Sequence, residues 1–112
     1  MELTHEIING LLVVRPGSRI DSSTAAAFEA RCAALIAEGP QKVVIDLSNV
    51  DYISSAGLRV LLVAAKSAKS AGGGLTLCGL RGNVREVLEV SGFDTLLGAH
   101  DGVNEAALAL GA

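Results

Sequence analysis

Short apolar runs alternate along most of this chain with longer stretches in which apolar residues recur every three or four positions. The clearest run covers residues 43–47, which are rich in β-branched side chains and almost continuously apolar, as expected of a strand that is buried on both faces. Strands that alternate with helices form a mostly parallel sheet, because each helix carries the chain back to the edge where the next strand begins. The alternation therefore predicts an α/β fold with residues 43–47 at the centre of the sheet.

The start of the chain follows a different pattern. Leu3–Ile8 alternates moderately between polar and apolar residues, and residues 11–14 are all apolar. Asn9 and Gly10 stand between these runs, and Asn-Gly in this position is typical of a tight β-hairpin. We therefore expect a pair of antiparallel strands before the first helix.

Four later stretches carry the spacing of an amphipathic helix, and two short apolar runs between them are typical of strands. The first predicted helix lies between the candidate N-caps at residues 21–24 and Gly39-Pro40, and the others cover about residues 55–71, 84–91 and 103–110. The two predicted strands cover residues 75–78 and Leu96-Leu97. The expected architecture is a mixed, mostly parallel sheet with an N-terminal hairpin and about four helices.

Length and composition limit the class of protein. The chain has 112 residues, of which 50% are hydrophobic and 19% charged, so residues 1–112 are expected to fold as one domain and not to be disordered. No apolar run reaches the ~20 residues that a membrane-spanning helix needs, and residues 1–12 lack the basic start and continuous apolar segment of a signal peptide. We therefore expect a cytoplasmic protein without direct membrane insertion.

Charge and cysteine content exclude further classes. Nine basic and twelve acidic residues give a net charge of −3, whereas proteins that bind nucleic acid usually carry a basic excess. Nucleic acid is therefore not an expected partner. Cys32 and Cys78 lie far apart in apolar surroundings, which favours buried free thiols in a reducing compartment over a disulfide.

Residues for catalysis or metal binding are sparse. His5 and His100 lie near opposite ends of the chain, and neither has the neighbouring cysteine or spaced histidine and glutamate of a metal site. The sequence shows no Ser/His/Asp or Cys/His cluster. We therefore expect no catalytic activity, no metal and no cofactor.

Two adjacent serines, Ser54 and Ser55, stand where a strand gives way to the second predicted helix. A serine in this position commonly caps the helix by accepting a hydrogen bond from a free backbone N–H, which stabilises the helix by about 1 kcal/mol. A helix N-terminus also favours anions, so the same position suits a phosphoryl group carried on a serine. From position alone, both interpretations stay open.

Segments along the whole chain resemble a known family. They are Ile20-Asp21 with Thr24-Ala25, residues 44–47, Tyr52-Ile53, Ser55-Ala56-Gly57-Leu58, the helix that runs to Gly73, and residues 84–93 with their Ser91-Gly92-Phe93 ending. Together they resemble the STAS domain of bacterial anti-sigma factor antagonists over essentially the full length.

The resemblance implies a mechanism of partner switching. The unmodified antagonist binds an anti-sigma factor that is also a serine kinase of the histidine-kinase-like ATPase superfamily, and a sigma factor is thereby released. Phosphorylation of the antagonist ends that binding, and a serine phosphatase restores the unmodified form. In this chain the phosphorylated serine falls on Ser55, and Asp21 falls on an acidic residue that lies near it in the family.

Two positions next to Ser55 differ from many members of the family. Those members have Asp just before the phosphoserine and Ser or Thr just after it, whereas this chain has Ser54 and Ala56. Ser54 is therefore a competing candidate acceptor.

Residues further along the second helix extend the candidate partner surface. Arg59, Val63 and Lys66 are spaced to lie along one outer stripe of that helix. A stripe with an apolar centre and two cations suits a protein partner, and a solvated helix face is the equally simple alternative. The expected partner-binding residues are Asp21, Ser54, Ser55, Gly57, Leu58, Arg59, Val63 and Lys66.

A second function is compatible with the same resemblance. A STAS domain can be a subunit of a membrane lipid-transport ATPase complex, where it binds an ATPase subunit and phosphorylation is not required. The identity of the bound partner distinguishes this function from that of an anti-sigma factor antagonist.

Overall fold

The computed structural model describes residues 1–111. Its elements, in chain order, are β1 (Leu3–Ile8), β2 (Leu11–Pro16), β3 (Ser18–Ile20), α1 (Ala25–Glu38), β4 (Lys42–Asp46), β5 (Val50–Ile53), α2 (Ser55–Ser70), β6 (Gly74–Cys78), α3 (Gly82–Ser91), α4 (Phe93–Leu97), β7 (Ala99–His100) and α5 (Val103–Ala109). The predicted alternation of strands and helices, and with it the α/β class, is confirmed.

Five strands form the main sheet, in the order β1-β2-β4-β6-β7. β1 and β2 pair antiparallel, with Ile8 opposite Leu11. Between them, Asn9 and Gly10 have φ angles of 49° and 78°, as the two central residues of a type I′ hairpin turn require, and Asn-Gly adopts this conformation readily. The remaining pairs in this sheet are parallel and β4 lies at its centre. The predicted hairpin and central strand are both confirmed.

Helices cover the main sheet on both faces. One face packs against α1 and α2, where Phe28 of α1 and Leu61 of α2 are completely buried together with Ile45 of β4, while α3 packs against β5 of the small sheet. The opposite face is covered by α5, with Ala106 packed against Val44. Because the central strand contacts apolar side chains on both faces, its sequence is almost continuously apolar and does not alternate.

The shorter strands β3 and β5 form a second, two-stranded parallel sheet that the sequence did not predict. They contain three and four residues, which is too short for a clear two-residue periodicity. Their last residues, Ile20 and Ile53, lie opposite each other. This small sheet thereby sets the positions of the segments that lead into α1 and α2.

One expectation for the last third of the chain is wrong. Leu96 and Leu97 lie in α4 and not in a strand, and the last strand is β7. With this short helix the described residues contain five helices, in line with the expected number of about four. Gly92 and Gly98, with φ angles of 78° and 83°, bracket α4, and such left-handed residues end a helix and redirect the chain. Leu96 is 64% exposed, so this pair is not the buried run that a strand at that place would need.

Candidate functional site

Two segments leave the same end of the small β3–β5 sheet. The backbone N–H of Ser54 donates a hydrogen bond to the Ile20 carbonyl at 2.8 Å, next to the pairing of Ile20 with Ile53. Asp21 follows Ile20, and Ser54 and Ser55 follow Ile53. Because the two strands are parallel, Asp21 and the serines lie at one edge of the sheet, where α2 begins.

The two serines occupy different positions at the start of α2. Ser54 is the N-cap, and its Oγ accepts a hydrogen bond from the backbone N–H of Gly57 at 3.3 Å. Its side chain is half-buried, whereas Ser55 is the first residue of the helix and is exposed. No side-chain hydrogen bond joins the Ser55 hydroxyl to another residue within 1–111. Ser54 therefore performs the capping, which leaves the Ser55 hydroxyl free.

Gly57 lets the first turn of α2 approach the small sheet closely. A Cβ at this position would lie 2.7 Å from Cγ1 of Ile53, 2.8 Å from Cγ2 of Ile20 and 3.0 Å from the Ile20 carbonyl oxygen. Gly57 is buried, and Leu58 beside it is half-buried against the main core. These two residues hold the turn that presents Ser55, and Gly57 itself is buried.

Asp21 is held by the turn that leads into α1. Its Oδ1 accepts hydrogen bonds from the Ser23 hydroxyl at 2.6 Å and the Ser23 backbone N–H at 2.9 Å. Its Oδ2 lies 3.5 Å from Nε of Arg19, which stacks over the Tyr52 ring at 4.3 Å. Two hydrogen bonds from Ser23 lower the pKa of Asp21 below its ordinary 3.8; the bond from the hydroxyl has the larger effect and the bond from the backbone N–H the smaller. The edge that carries the serines therefore also carries a fixed negative charge at neutral pH.

The outer stripe of α2 is not a free basic patch. Arg59 and Lys66 are exposed and Val63 is half-buried. Nη1 of Arg59 lies 3.1 Å from Oε1 of Glu29 on α1, and these side chains are 64% and 40% exposed. Lys66 has no ion pair within residues 1–111. Glu29 was not predicted, because its contact with Arg59 depends on how α1 and α2 pack, and residue spacing within one helix does not report this packing.

An open groove of about 530 Å³ lies between the N-terminal halves of α1 and α2. Alanines such as Ala30 of α1 and Ala56 of α2 line it, and their small side chains leave the space between the helices unfilled. Glu29 and Arg59 are the charged residues of its lining. The groove was not predicted, although the many alanines on the outward side of α1 were a signal for it. It begins beside Ser55, whose neighbour Ala56 forms part of its wall.

Other classes of site find little support in the described part of the chain. Within residues 1–111, no three His, Cys, Asp or Glu side chains are grouped where they could hold a metal ion. Cys32 and Cys78 are free and buried, as predicted. Burial raises the pKa of each thiol to about 12, so both stay protonated at neutral pH and are poor nucleophiles. Among the described helices, none has the length and apolar character to cross a membrane.

Comparison with known proteins identifies relatives of this chain. The family model of the STAS domain matches residues 2–106. BtrV of Bordetella bronchiseptica, named as an anti-sigma factor antagonist, is 46% identical over 93 residues, which are 83% of this chain and 80% of BtrV.

Solved structures show the same fold. An anti-sigma factor antagonist from Mycobacterium paratuberculosis superimposes with a TM-score of 0.81 at 28% identity, covering 99% of this chain and 96% of that protein. A Thermotoga maritima protein described as an anti-sigma factor antagonist gives a TM-score of 0.90 at 23% identity, covering 98% and 95% of the two chains. The family model matches nearly the whole chain, and these solved structures share its fold. The chain therefore belongs to the STAS domain family, as its sequence predicted.

Proposed function

We propose that this chain is an anti-sigma factor antagonist that acts by partner switching and catalyses no reaction itself. Unmodified, it binds an anti-sigma factor that is also a serine kinase of the histidine-kinase-like ATPase superfamily, and phosphorylation of Ser55 ends this binding. A serine phosphatase restores the binding form. The names of its relatives support the general role. The observation that carries the mechanism is the free, exposed hydroxyl of Ser55 at the first turn of α2.

The geometry favours Ser55 over Ser54 as the acceptor. Phosphorylation requires the serine oxygen to attack the γ-phosphorus of ATP, while ADP leaves and the hydroxyl proton passes to a base of the kinase. Ser55 is exposed at the helix start, whereas Ser54 is half-buried and holds the N–H of Gly57. Reaction at Ser54 would disturb the cap, which contributes about 1 kcal/mol to the helix.

A phosphate on Ser55 changes the contact surface more than the fold. It adds about 1.5 to 2 negative charges at neutral pH, and a helix N-terminus tolerates or favours such charge. The same edge already carries the ionised Asp21. A partner that covers this edge would have to remove both anions from water, which is costly unless it supplies matching cations. We therefore expect loss of binding without unfolding.

The surface assigned to the kinase consists of the helix start and the stripe next to it. Asp21, Ser54 and Ser55 form the edge, and Arg59, Val63 and Lys66 extend it along α2. Gly57 and Leu58 act beneath this surface by holding the turn in place.

The test begins with affinity capture of the partner from the source cell, followed by incubation of the captured kinase with this chain and ATP. We expect intact-mass analysis to show one added phosphate and peptide mapping to place it on Ser55. Ser55→Ala should abolish the modification. Ser54→Ala is the matched control and should still be phosphorylated, with a melting temperature lowered by loss of the cap.

Three outcomes would contradict the proposal. They are a phosphate on Ser54, a kinase that binds tightly yet modifies neither serine, and capture of a membrane ATPase subunit without any kinase. The last result would assign the chain to a lipid-transport ATPase complex.

A further inference from the structure

The ion pair between Arg59 and Glu29 joins α2 to α1 by a single exposed contact of 3.1 Å. Both side chains are well exposed, at 64% and 40%. Ion pairs of this kind are weak and are screened by salt, because water solvates both charges and two long side chains must be held in one geometry. Arg59 is therefore free to exchange Glu29 for a stronger anion within its reach.

A phosphate on Ser55 would be such an anion. Ser55 and Arg59 are four residues apart on α2, and side chains at this spacing lie on the same face with their Cβ atoms about 5–6 Å apart. The order is also favourable, since an anion placed four residues before a cation agrees with the direction of the helix dipole. We propose that a phosphate on Ser55 is bound within the same chain by Arg59, which leaves Glu29 to do so. The proposal rests on the phosphorylation of Ser55 proposed above.

The chemistry of the two anions decides the exchange. A phosphate carries up to two charges and three acceptor oxygens, and the planar guanidinium group can donate two parallel hydrogen bonds to it. Glu29 offers a single carboxylate on another helix. The charged groups at the neighbouring strand end are Asp21, whose charge repels a phosphate, and Arg19, which already contacts Asp21 and Tyr52. Arg59 is thus the cation best placed to receive the phosphate.

The exchange would carry the effect of phosphorylation into the groove between α1 and α2. Arg59 and Glu29 both line that groove, and in the unmodified chain their charges compensate each other. When Arg59 turns to the phosphate, the carboxylate of Glu29 is left unpaired in the groove. One phosphate would then alter the surface in two places, at the start of α2 and along α1.

The experiment uses full-length protein with phosphoserine placed at position 55 during translation, so that it does not depend on any kinase. Phosphorus NMR measures the second pKa of the phosphate, which is ordinarily near 6. We expect that pKa to be lower in the otherwise wild-type protein than in Arg59→Gln by about 0.3 or more, because the cation stabilises the dianion. Lys66→Gln is the matched control. Lys66 lies about three turns beyond Ser55 on α2, so this variant should leave the phosphate pKa unchanged.

A third variant tests the exchange itself. Glu29→Gln removes the competing carboxylate, so the phosphate pKa should fall below that of the otherwise wild-type protein. Equal pKa values in Arg59→Gln and Lys66→Gln would overturn the pairing, and no effect of Glu29→Gln would overturn the exchange. Failure of the kinase to modify Ser55 would instead contradict the proposed function, and neither failure produces the other.

Discussion

Gly57 provides the sharpest test of how the helix start is built. Replacement by alanine places a Cβ 2.7 Å and 2.8 Å from side-chain atoms of Ile53 and Ile20 and 3.0 Å from the Ile20 carbonyl oxygen. Alanine is favoured over glycine in a helix by about 1 kcal/mol, whereas overpacking a filled site costs about 1–3 kcal/mol. The carbonyl belongs to a paired strand and cannot move aside cheaply. Because three atoms lie at 3.0 Å or less, the overpacking cost falls in the upper part of its range, about 2–3 kcal/mol; after the gain of about 1 kcal/mol, we expect Gly57→Ala to lower the free energy of unfolding by about 1–2 kcal/mol.

For a chain of this size, each 1 kcal/mol lost lowers the melting temperature by roughly 4–8 °C, so we expect a decrease of at least about 4 °C. Differential scanning calorimetry and urea denaturation measure it directly. Gly74→Ala is the control, because its Cβ would meet only Leu110 Cδ2 at an ordinary 3.5 Å, and it should be neutral or stabilising by up to about 1 kcal/mol. A Gly57→Ala protein as stable as the wild type would show that the first turn of α2 has room to spare and would refute this reasoning.

Three further predictions concern charge and thiol chemistry. Ser55→Glu should weaken binding to the kinase in titration calorimetry with little change in melting temperature, since a helix N-terminus favours the added charge; unchanged affinity would argue against a charge effect. Because hydrogen bonds from Ser23 lower the pKa of Asp21 below 3.8, this carboxylate stabilises the fold above that value and the contribution is lost as pH falls through the lowered pKa. Asp21→Asn should therefore lose less stability on acidification, as followed by urea midpoints, and an identical pH profile would contradict this. Burial raises the pKa values of Cys32 and Cys78 to about 12. Ellman's reagent should therefore modify these thiols rapidly only after denaturation, and a fast reaction of the native protein would contradict their burial.

The sequence predicted the parts of the fold that local patterns determine. Asn9-Gly10 has the conformational freedom that a type I′ turn requires, and the hairpin forms there. The apolar run of β4 required cover on both faces, and the strand lies at the sheet centre. Leu96-Leu97 failed as a strand prediction because a two-residue apolar run fits helix and strand equally.

The candidate site was predicted only in part. The serine pair was found at a helix start, because caps have a recognisable sequence. Which serine caps and which stays exposed depended on the place where β5 ends, and β5 is too short for periodicity to locate. The contact of Arg59 with Glu29 and the groove between α1 and α2 depend on helix packing, so no pattern within one element could have revealed them.

The central claim is that a phosphate on Ser55 ends the binding of the kinase. Isothermal titration calorimetry of the purified kinase against unmodified and Ser55-phosphorylated protein, at one ionic strength, tests it directly. We predict at least about a tenfold loss of affinity, which corresponds to about 1.4 kcal/mol, with an unchanged circular dichroism spectrum. Equal affinity of the two forms would contradict the claim.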